Sequence, residues 1–388
     1  MTGSGIVIAT LMRRRGGSGL QSHVRTFDEY LRDSSRPVSI VSPFEARSPF
    51  VLPVFAGRVG IRPVSRPAAV WWHQYWHAHY LKAALRTQLA ARPGAVIYAQ
   101  CPISAGVALQ VRRTQPVVMV AHFNISQADE WADEGEIPRD GRLFGAIRQF
   151  EERVLGSLDG IVYVSEFTKT GLENRIPALR DLPSAVIPNA VSRTAGAVDR
   201  AEPLADLITV GRLDSRKNHR YLLEILAAAA ARGHRYTLSV VGDGVDRQAL
   251  EARAAELGLA GQVSFLGYQP DARALMRRHQ VYCHTSTTES FGIVLAEAMS
   301  EGLPVLAAAV GGVPEVVRPG VDGLFWPLDD AGAAARVLIG LMEDPARRAT
   351  LAAAARARSA AEFSAAAAGE RLLAFLEHTG IRPARSIV

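Results

Sequence analysis

Short, largely apolar runs recur from one end of this chain to the other, with helix-length amphipathic segments between them. In the first half they read GIVIAT (5–10), PVSIVS (37–42), AVIYAQ (95–100), PVVMVAH (116–122) and GIVYVS (160–165). In the second half they read LITVGR (207–212), TLSVVG (237–242), VSFLG (263–267), VYCHTS (281–286) and PVLAAA (304–309). A strand with one face in water alternates apolar and polar residues, whereas a strand covered on both faces reads as a continuous apolar run. Joined by segments such as NHRYLLEILAAAAARG and DRQALEARAAELG, these runs require parallel sheets flanked by helices. At 388 residues the chain exceeds what one core ordinarily holds. Residues 189–206, NAVSRTAGAVDRAEPLAD, lack periodicity and read as a linker. The expected architecture is therefore α/β, with two doubly wound Rossmann-like domains facing a cleft. Their expected bounds are 1–190 and 191–365, with a C-terminal helix, about 366–388, packing back on the first. The Ala-rich stretch 353–368 keeps helical spacing and is expected to be helix.

Composition narrows the class. A hydrophobic fraction of 48% with 21% charged residues is that of a globular enzyme. No stretch approaches ~18 consecutive apolar residues, so no transmembrane helix is expected. The N-terminal charges, Arg13-Arg14-Arg15, follow the first apolar run, the reverse of a secretory signal. Only Cys101 and Cys283 occur, far apart, which fits neither a metal site nor a disulfide framework and points to a reducing cytoplasm. Charge is uneven: residues 1–120 carry 15 basic against 4 acidic side chains, while residues 191–388 are balanced at 22 each. A basic face suits anionic lipid headgroups or an acidic acceptor at the inner face of the membrane. A composition that writes Arg at every solvated position would read the same way.

In doubly wound sheets, ligands bind outside the carboxyl ends of the strands, where loops meet helix N-termini. After VYCHTS comes TESFGIVLAEAM, with Glu289 and Glu297 eight positions apart around a Ser-Phe-Gly turn. A helix from near Gly292 to Gly302 would present the backbone N–H groups of Ser290, Phe291 and Gly292 to an anion or to sugar hydroxyls. Glu289 would accept hydroxyls there. Glu297, about 7.5 Å further along the axis, would suit a ribose. After LITV comes Gly211-Arg212-Leu213-Asp214-Ser215-Arg216-Lys217-Asn218, in which Arg212 and Lys217 flank a helix start and could clamp a diphosphate. Taken singly, each would also fit an exposed turn or a solvated helix face.

Together these motifs resemble the retaining, GT-B-fold nucleotide-sugar glycosyltransferases of family 4. The resemblance extends to Gly242-Asp243-Gly244, to Phe265-Leu266-Gly267, and to Gly302-Leu303-Pro304-Val305 followed by Gly311-Gly312-Val313-Pro314-Glu315. It implies that Arg212 and Lys217 hold the donor diphosphate and that Glu297 holds the ribose. It further implies that Glu289 faces the donor sugar and that Leu266 and Gly267 pass along the nucleobase. In the first half, Gly16-Gly17-Ser18-Gly19 looks like the family's glycine loop beside the diphosphate. A dinucleotide fingerprint is the rival, but no Asp or Glu closes PVSIVS to hold an adenosine ribose. His122, at the end of PVVMVAH, matches the family's active-site histidine, which approaches the transferred sugar and helps support charge. Phe123-Asn124 follows it where the family often has an acidic residue, a departure on the acceptor side. His73, His77 and His79 have no acidic or Cys partner nearby and are not expected to hold metal. Trp71, Trp72, Tyr75 and Trp76 fit a core helix face, or an acceptor- or membrane-facing surface.

The function these readings imply is retaining, metal-independent hexosyl transfer from a UDP- or GDP-linked sugar to a hydroxyl of a glycan or lipid-linked acceptor, without cofactor or nucleic-acid partner. Bacterial polysaccharide or glycolipid assembly, in the cytoplasm or peripherally at the membrane, is the expected setting. A natural-product transferase, a non-catalytic nucleotide-sugar-binding protein or an epimerase on the same fold are the alternatives. Intact Arg212, Lys217, Glu289 and Glu297 argue against the non-catalytic one.

Overall fold

A computed structural model describes residues 5–13, 16, 19–192 and 204–381. The chain divides into two compact units, Met1–Ala190 with Ala368–Val388, and Val191–Ala367.

The first unit is built on β1 (Ile6–Ala9), β2 (Val38–Val41), β3 (Val96–Ala99), β4 (Val117–Ala121), β5 (Gly160–Tyr163) and β6 (Ser184–Val186). These pair in parallel in the order β2-β1-β3-β4-β5-β6. Val7, Ile8, Ile97, Val117, Val118 and Met119 are wholly buried, which is why their runs carry no polar alternation. The helices between strands are capped by local chemistry. Ser126 and Ser165 each accept a hydrogen bond from a first-turn N–H of the helix that follows. From Ala368 the last helix, Ala365–Ile381, belongs to this unit. It is held there by an Arg36–Glu377 ion pair of 3.0 Å and a 2.6 Å hydrogen bond from Arg371 to the Val186 carbonyl.

The second unit holds β7 (Leu207–Val210), β8 (Leu238–Val241), β9 (Val263–Gly267), β10 (Val281–His284), β11 (Val305–Ala307) and β12 (Gly323–Phe325). All pairings are parallel, in the order β12-β11-β10-β7-β8-β9. The chain winds outward from β7 through β8 to β9, then returns to β10 on the other side. β7 and β10 therefore flank the switch point, and their outgoing loops diverge there.

The Ala-rich stretch departs from expectation. Helix Pro345–Arg358 ends in a π-helical turn, Ser359–Phe363, and Ser364 is extended before the last helix begins. Tertiary contacts make the break: Ser359 Oγ donates to the Ala296 carbonyl at 3.2 Å, and Phe363 meets Phe291 edge-on at 5.6 Å.

Candidate active site

The loops after β7 and β10 meet at the switch point of the second unit. Asp214 caps the short turn Ser215–Lys217 through the Lys217 N–H, and Asn218 then takes a left-handed conformation (φ 51°) before helix His219–Ala230. The loop after β10 is tied to this turn, with Thr287 N–H donating to the Arg216 carbonyl at 2.9 Å and Thr285 Oγ1 to the Lys217 carbonyl at 3.1 Å. Its own far side rests on residues 311–312, where Gly312 N–H donates to the Glu289 carbonyl at 2.9 Å. Gly311 has φ 53°, and a Cβ there would stand 2.1 Å from that carbonyl oxygen, so only glycine fits. Gly242 performs the same service behind β7: φ is 135°, and a Cβ would lie 1.9 Å from the Gly211 carbonyl oxygen. The glycine motifs thus hold the two loops in register by backbone contact.

On this platform Lys217 Nζ lies 2.6 Å from Glu289 Oε2, and His284 Nε2 lies 3.3 Å from the same oxygen. Burial pushes the Glu289 carboxyl up, but the Lys217 ammonium and the His284 hydrogen bond outweigh it. The group is held well below the ordinary carboxylate range. Burial lowers the His284 pKa, opposed by Glu289, so the ring is neutral at pH 7. Its Nδ1 is buried without a partner. The proton therefore sits on Nε2, where it meets Glu289, because an orphaned buried N–H would cost more than an orphaned lone pair. His284 was not singled out from sequence. The strand-end argument applied to His122 would have found it, since it closes the run VYCHTS.

The remaining donor-side residues take the following places. Arg212 is exposed, with Nε 3.1 Å from Asp214 Oδ2. Gly211 packs on the Lys217 side chain, whose carbons lie 3.7 Å from where a Cβ would stand. Gly292 is the N-cap of helix Ile293–Ser300, and Glu297 stands one turn inside it. Phe291 is buried against Phe363, so its side chain anchors the loop from beneath. Ser290 precedes it, half-buried. Leu266 and Gly267 close β9 on the same sheet edge, with the Gly267 carbonyl accepting from Gly242 N–H at 2.8 Å.

In the first unit, His122 follows β4 directly, with Nε2 3.4 Å from Gln100 Oε1 at the end of β3. Its ring meets that of His23 at 5.2 Å, and His23 Nε2 lies 3.3 Å from the Tyr98 hydroxyl. Burial drives the His122 pKa well below its usual value, helped by His23, and burial takes His23 down to about 4. A neutral His122 supports charge as a hydrogen-bonding dipole, not as the cation its expected role suggests. His23, on the helix after the glycine loop, was not anticipated. Gly16 packs on Gln21, and Gln21 Nε2 donates to the Arg13 carbonyl. Gly17, Ser18, Arg14 and Arg15 lie outside the described residues. His73 and His77 stack on each other at 3.9 Å within an aromatic cluster.

A parallel sheet whose switch point gathers a lysine, an arginine, a carboxylate and a helix start defines an α/β protein for anionic, hydroxyl-rich ligands. Residues 17–194 match the model of Glycosyltransferase Family 4, and residues 195–358 that of Glycosyl transferases group 1. The phosphatidyl-myo-inositol mannosyltransferase of Mycolicibacterium smegmatis is 30% identical over 347 residues, 85% of this chain and 83% of its own. The D-inositol 3-phosphate glycosyltransferase of Frankia alni is 31% identical over 315 residues, 74% of this chain and 75% of its own. In structure, sucrose-phosphate synthase from Thermosynechococcus elongatus matches with a TM-score of 0.71 at 21% identity, over 97% of this chain and 98% of that one. Anabaena HepE, solved with UDP and glucose, matches with a TM-score of 0.69 at 19% identity, over 97% and 100%. This chain belongs to the family 4 type of glycosyltransferase and has the GT-B fold.

Proposed function

We propose that this glycosyltransferase moves a hexose from a nucleoside-diphosphate donor to a hydroxyl of a lipid-linked or glycan acceptor, with retention and without a metal. The observation that carries the reading is the convergence of Lys217, Glu289 and His284 at the switch point, with Arg212 at the loop's rim. Lys217 and Arg212 neutralise the charge that grows on the departing diphosphate, the role a divalent ion fills on other folds. Glu289 is tied up in an ion pair, which makes it a poor covalent nucleophile and a good anchor for sugar hydroxyls. The acceptor proton then passes to a phosphate oxygen of the leaving group on the same face of the sugar. Transfer assays with UDP- and GDP-hexoses, with the product anomer read by NMR, test the reading. An inverted product would overturn the same-face step, and a changed nucleotide sugar without acceptor would mark an epimerase.

Activity is expected to persist in excess chelator. Loss of activity on chelation, restored by magnesium or manganese, would replace the cation clamp with a bound ion.

A lipid-linked acceptor is supported by the surface of the first unit. Helix Val51–Ile61 and its flanks leave Phe50, Leu52, Val59 and Val64 exposed, and Trp71 and Tyr75 stack on each other in the open at 5.2 Å. Trp72 and Trp76, on the other face of that helix, are half-buried. Among the described residues no helix is long and apolar enough to cross a membrane. An apolar ridge on a unit rich in Arg suits interfacial docking, each basic residue near an anionic surface adding about 1 kcal/mol. Co-sedimentation should rise with anionic lipid content and fade at ~0.5 M salt. Equal behaviour with neutral and anionic vesicles would favour a soluble acceptor.

A further inference from the structure

The first unit contains a cavity of about 530 Å³ whose lining includes Arg13, Phe44, Phe55, Arg58, His73 and His77, and no carboxylate. The volume falls within the ~300–1,000 Å³ usual for small-ligand sites. Arg13 leaves β1 and Phe44 leaves β2 at the carboxyl edge of the sheet, the edge on which His122 stands. Helix Val51–Ile61 supplies Phe55 and Arg58, and helix Arg66–Ala90 supplies the two histidines.

Its walls are flat and aromatic. Phe55 stacks on His77 at 4.1 Å, and Phe44 meets Phe55 edge-on at 5.0 Å. Burial keeps His73 at about 3 and His77 at about 4, so neither ring is charged at physiological pH. The positive charge belongs to the two guanidiniums, and neither is compensated by an ion pair. Arg13 lies over the Phe44 ring at 4.9 Å and makes no ion pair with a described residue. Arg58 is half-buried, its Nε enclosed without a hydrogen-bond partner, and its one compensating contact is the Trp131 ring at 5.5 Å. Glu136, the acid nearest to hand, is taken by Arg62 at 2.5 Å. A partly buried cation without a counter-ion costs stability unless something anionic completes it.

We infer that this cavity binds an anionic group carried on a ring, a phosphorylated sugar or cyclitol, with Arg13 and Arg58 on the phosphate and the Phe44–Phe55–His77 face under the ring. The inference rests on the proposed transfer reaction and names its acceptor class. Two sources share the chemistry, a free ring phosphate and a phospholipid headgroup of the same kind.

Calorimetry on the full chain separates them, with glucose 1-phosphate against glucose, and phosphatidylinositol nanodiscs against phosphatidylcholine nanodiscs. Binding to at least one phosphorylated probe is expected, with its neutral counterpart at least tenfold weaker. R58Q and R13Q should each weaken that binding at least tenfold while UDP affinity stays at the wild-type value. UDP binding reports the donor side alone, so its loss would count against the transfer reading and its retention isolates the cavity. R58Q should also melt at or above the wild-type temperature without ligand, because it removes an unpaired buried charge. Wild-type protein that ignores every phosphorylated probe, or an R58Q variant that melts lower yet still binds them, would overturn the inference. Should R58Q fail to fold, the exposed R13Q decides alone, and unchanged phosphate binding there overturns it equally.

Discussion

Lys217→Ala is expected to lower kcat by about 100- to 1,000-fold, the upper part of the ~2–4 kcal/mol that one positioned charge contributes to a developing anion. Two features set Lys217 above Arg212. Arg212 is 57% exposed and held by Asp214, whereas Lys217 is 24% exposed and lies 2.6 Å from a carboxylate that is 17% exposed. Arg212→Ala should therefore cost nearer 30-fold. Lys217→Ala also strands Glu289. Breaking a fully buried pair costs about 3–5 kcal/mol, and the residual exposure here reduces that to roughly 2 kcal/mol. That corresponds to a fall of about 4–8 °C in the melting of the second unit. The pH dependence has a definite sign. Glu289 titrates below its ordinary 4.5 in the folded protein, so its contribution is present above that value and lost as pH falls through it. With Lys217 gone there is less to lose, and the variant's melting temperature should fall less steeply from pH 5 to pH 3. Steady-state kinetics and calorimetric scans check both. A variant with wild-type kcat would remove Lys217 from the leaving-group site.

The fold was legible because burial on two faces leaves a strong mark. Each of the ten apolar runs contains a strand. Ser184–Val186 and Gly323–Phe325 escaped notice for the complementary reason. They are three-residue strands at sheet edges, half-covered, and Pro, Ser or Gly interrupts their apolar character. The turn at Ser359–Phe363 escaped because its cause is the distant Ala296 carbonyl and Phe291, which no local spacing records. The candidate site divides the same way. Loops Gly211–Asn218 and Thr288–Gly292 are marked by glycine and charge at strand ends, and a sequence pattern carries those. The union of Lys217 with Glu289 across 72 residues is a product of strand order, as is the partnership of His23 with His122. Periodicity reports which face a residue lies on, but not which strand lies next to it.

Strand order also sharpens what the two glutamates of this loop should do when each is replaced by glutamine. Glu289 stands before helix Ile293–Ser300 and already holds Lys217 and His284, whereas Glu297 stands within the helix, a turn further on. An incoming diphosphate must share Lys217 with Glu289. Glu289→Gln removes the competing charge at nearly constant shape, so UDP should bind as tightly as to the wild type, or up to severalfold more tightly. The same change leaves Lys217 without its fixed anion and leaves the donor sugar facing an amide instead of a carboxylate. A charge-assisted hydrogen bond is about twice as strong as a neutral one, and its loss in the transition state should cost about 3 kcal/mol, or more than 100-fold in kcat. Glu297→Gln should do the reverse. If Glu297 grips the ribose, UDP affinity falls about tenfold, and kcat at saturating donor changes little, the pattern of an interaction made equally in the ground and transition states. Titration calorimetry with UDP and GDP, beside single-turnover rates at saturating nucleotide sugar, reads both quantities in each variant. A Glu289→Gln enzyme that loses UDP affinity in step with its rate would show the carboxylate to be part of the nucleotide site, and the assignment of Glu289 to the sugar would fall.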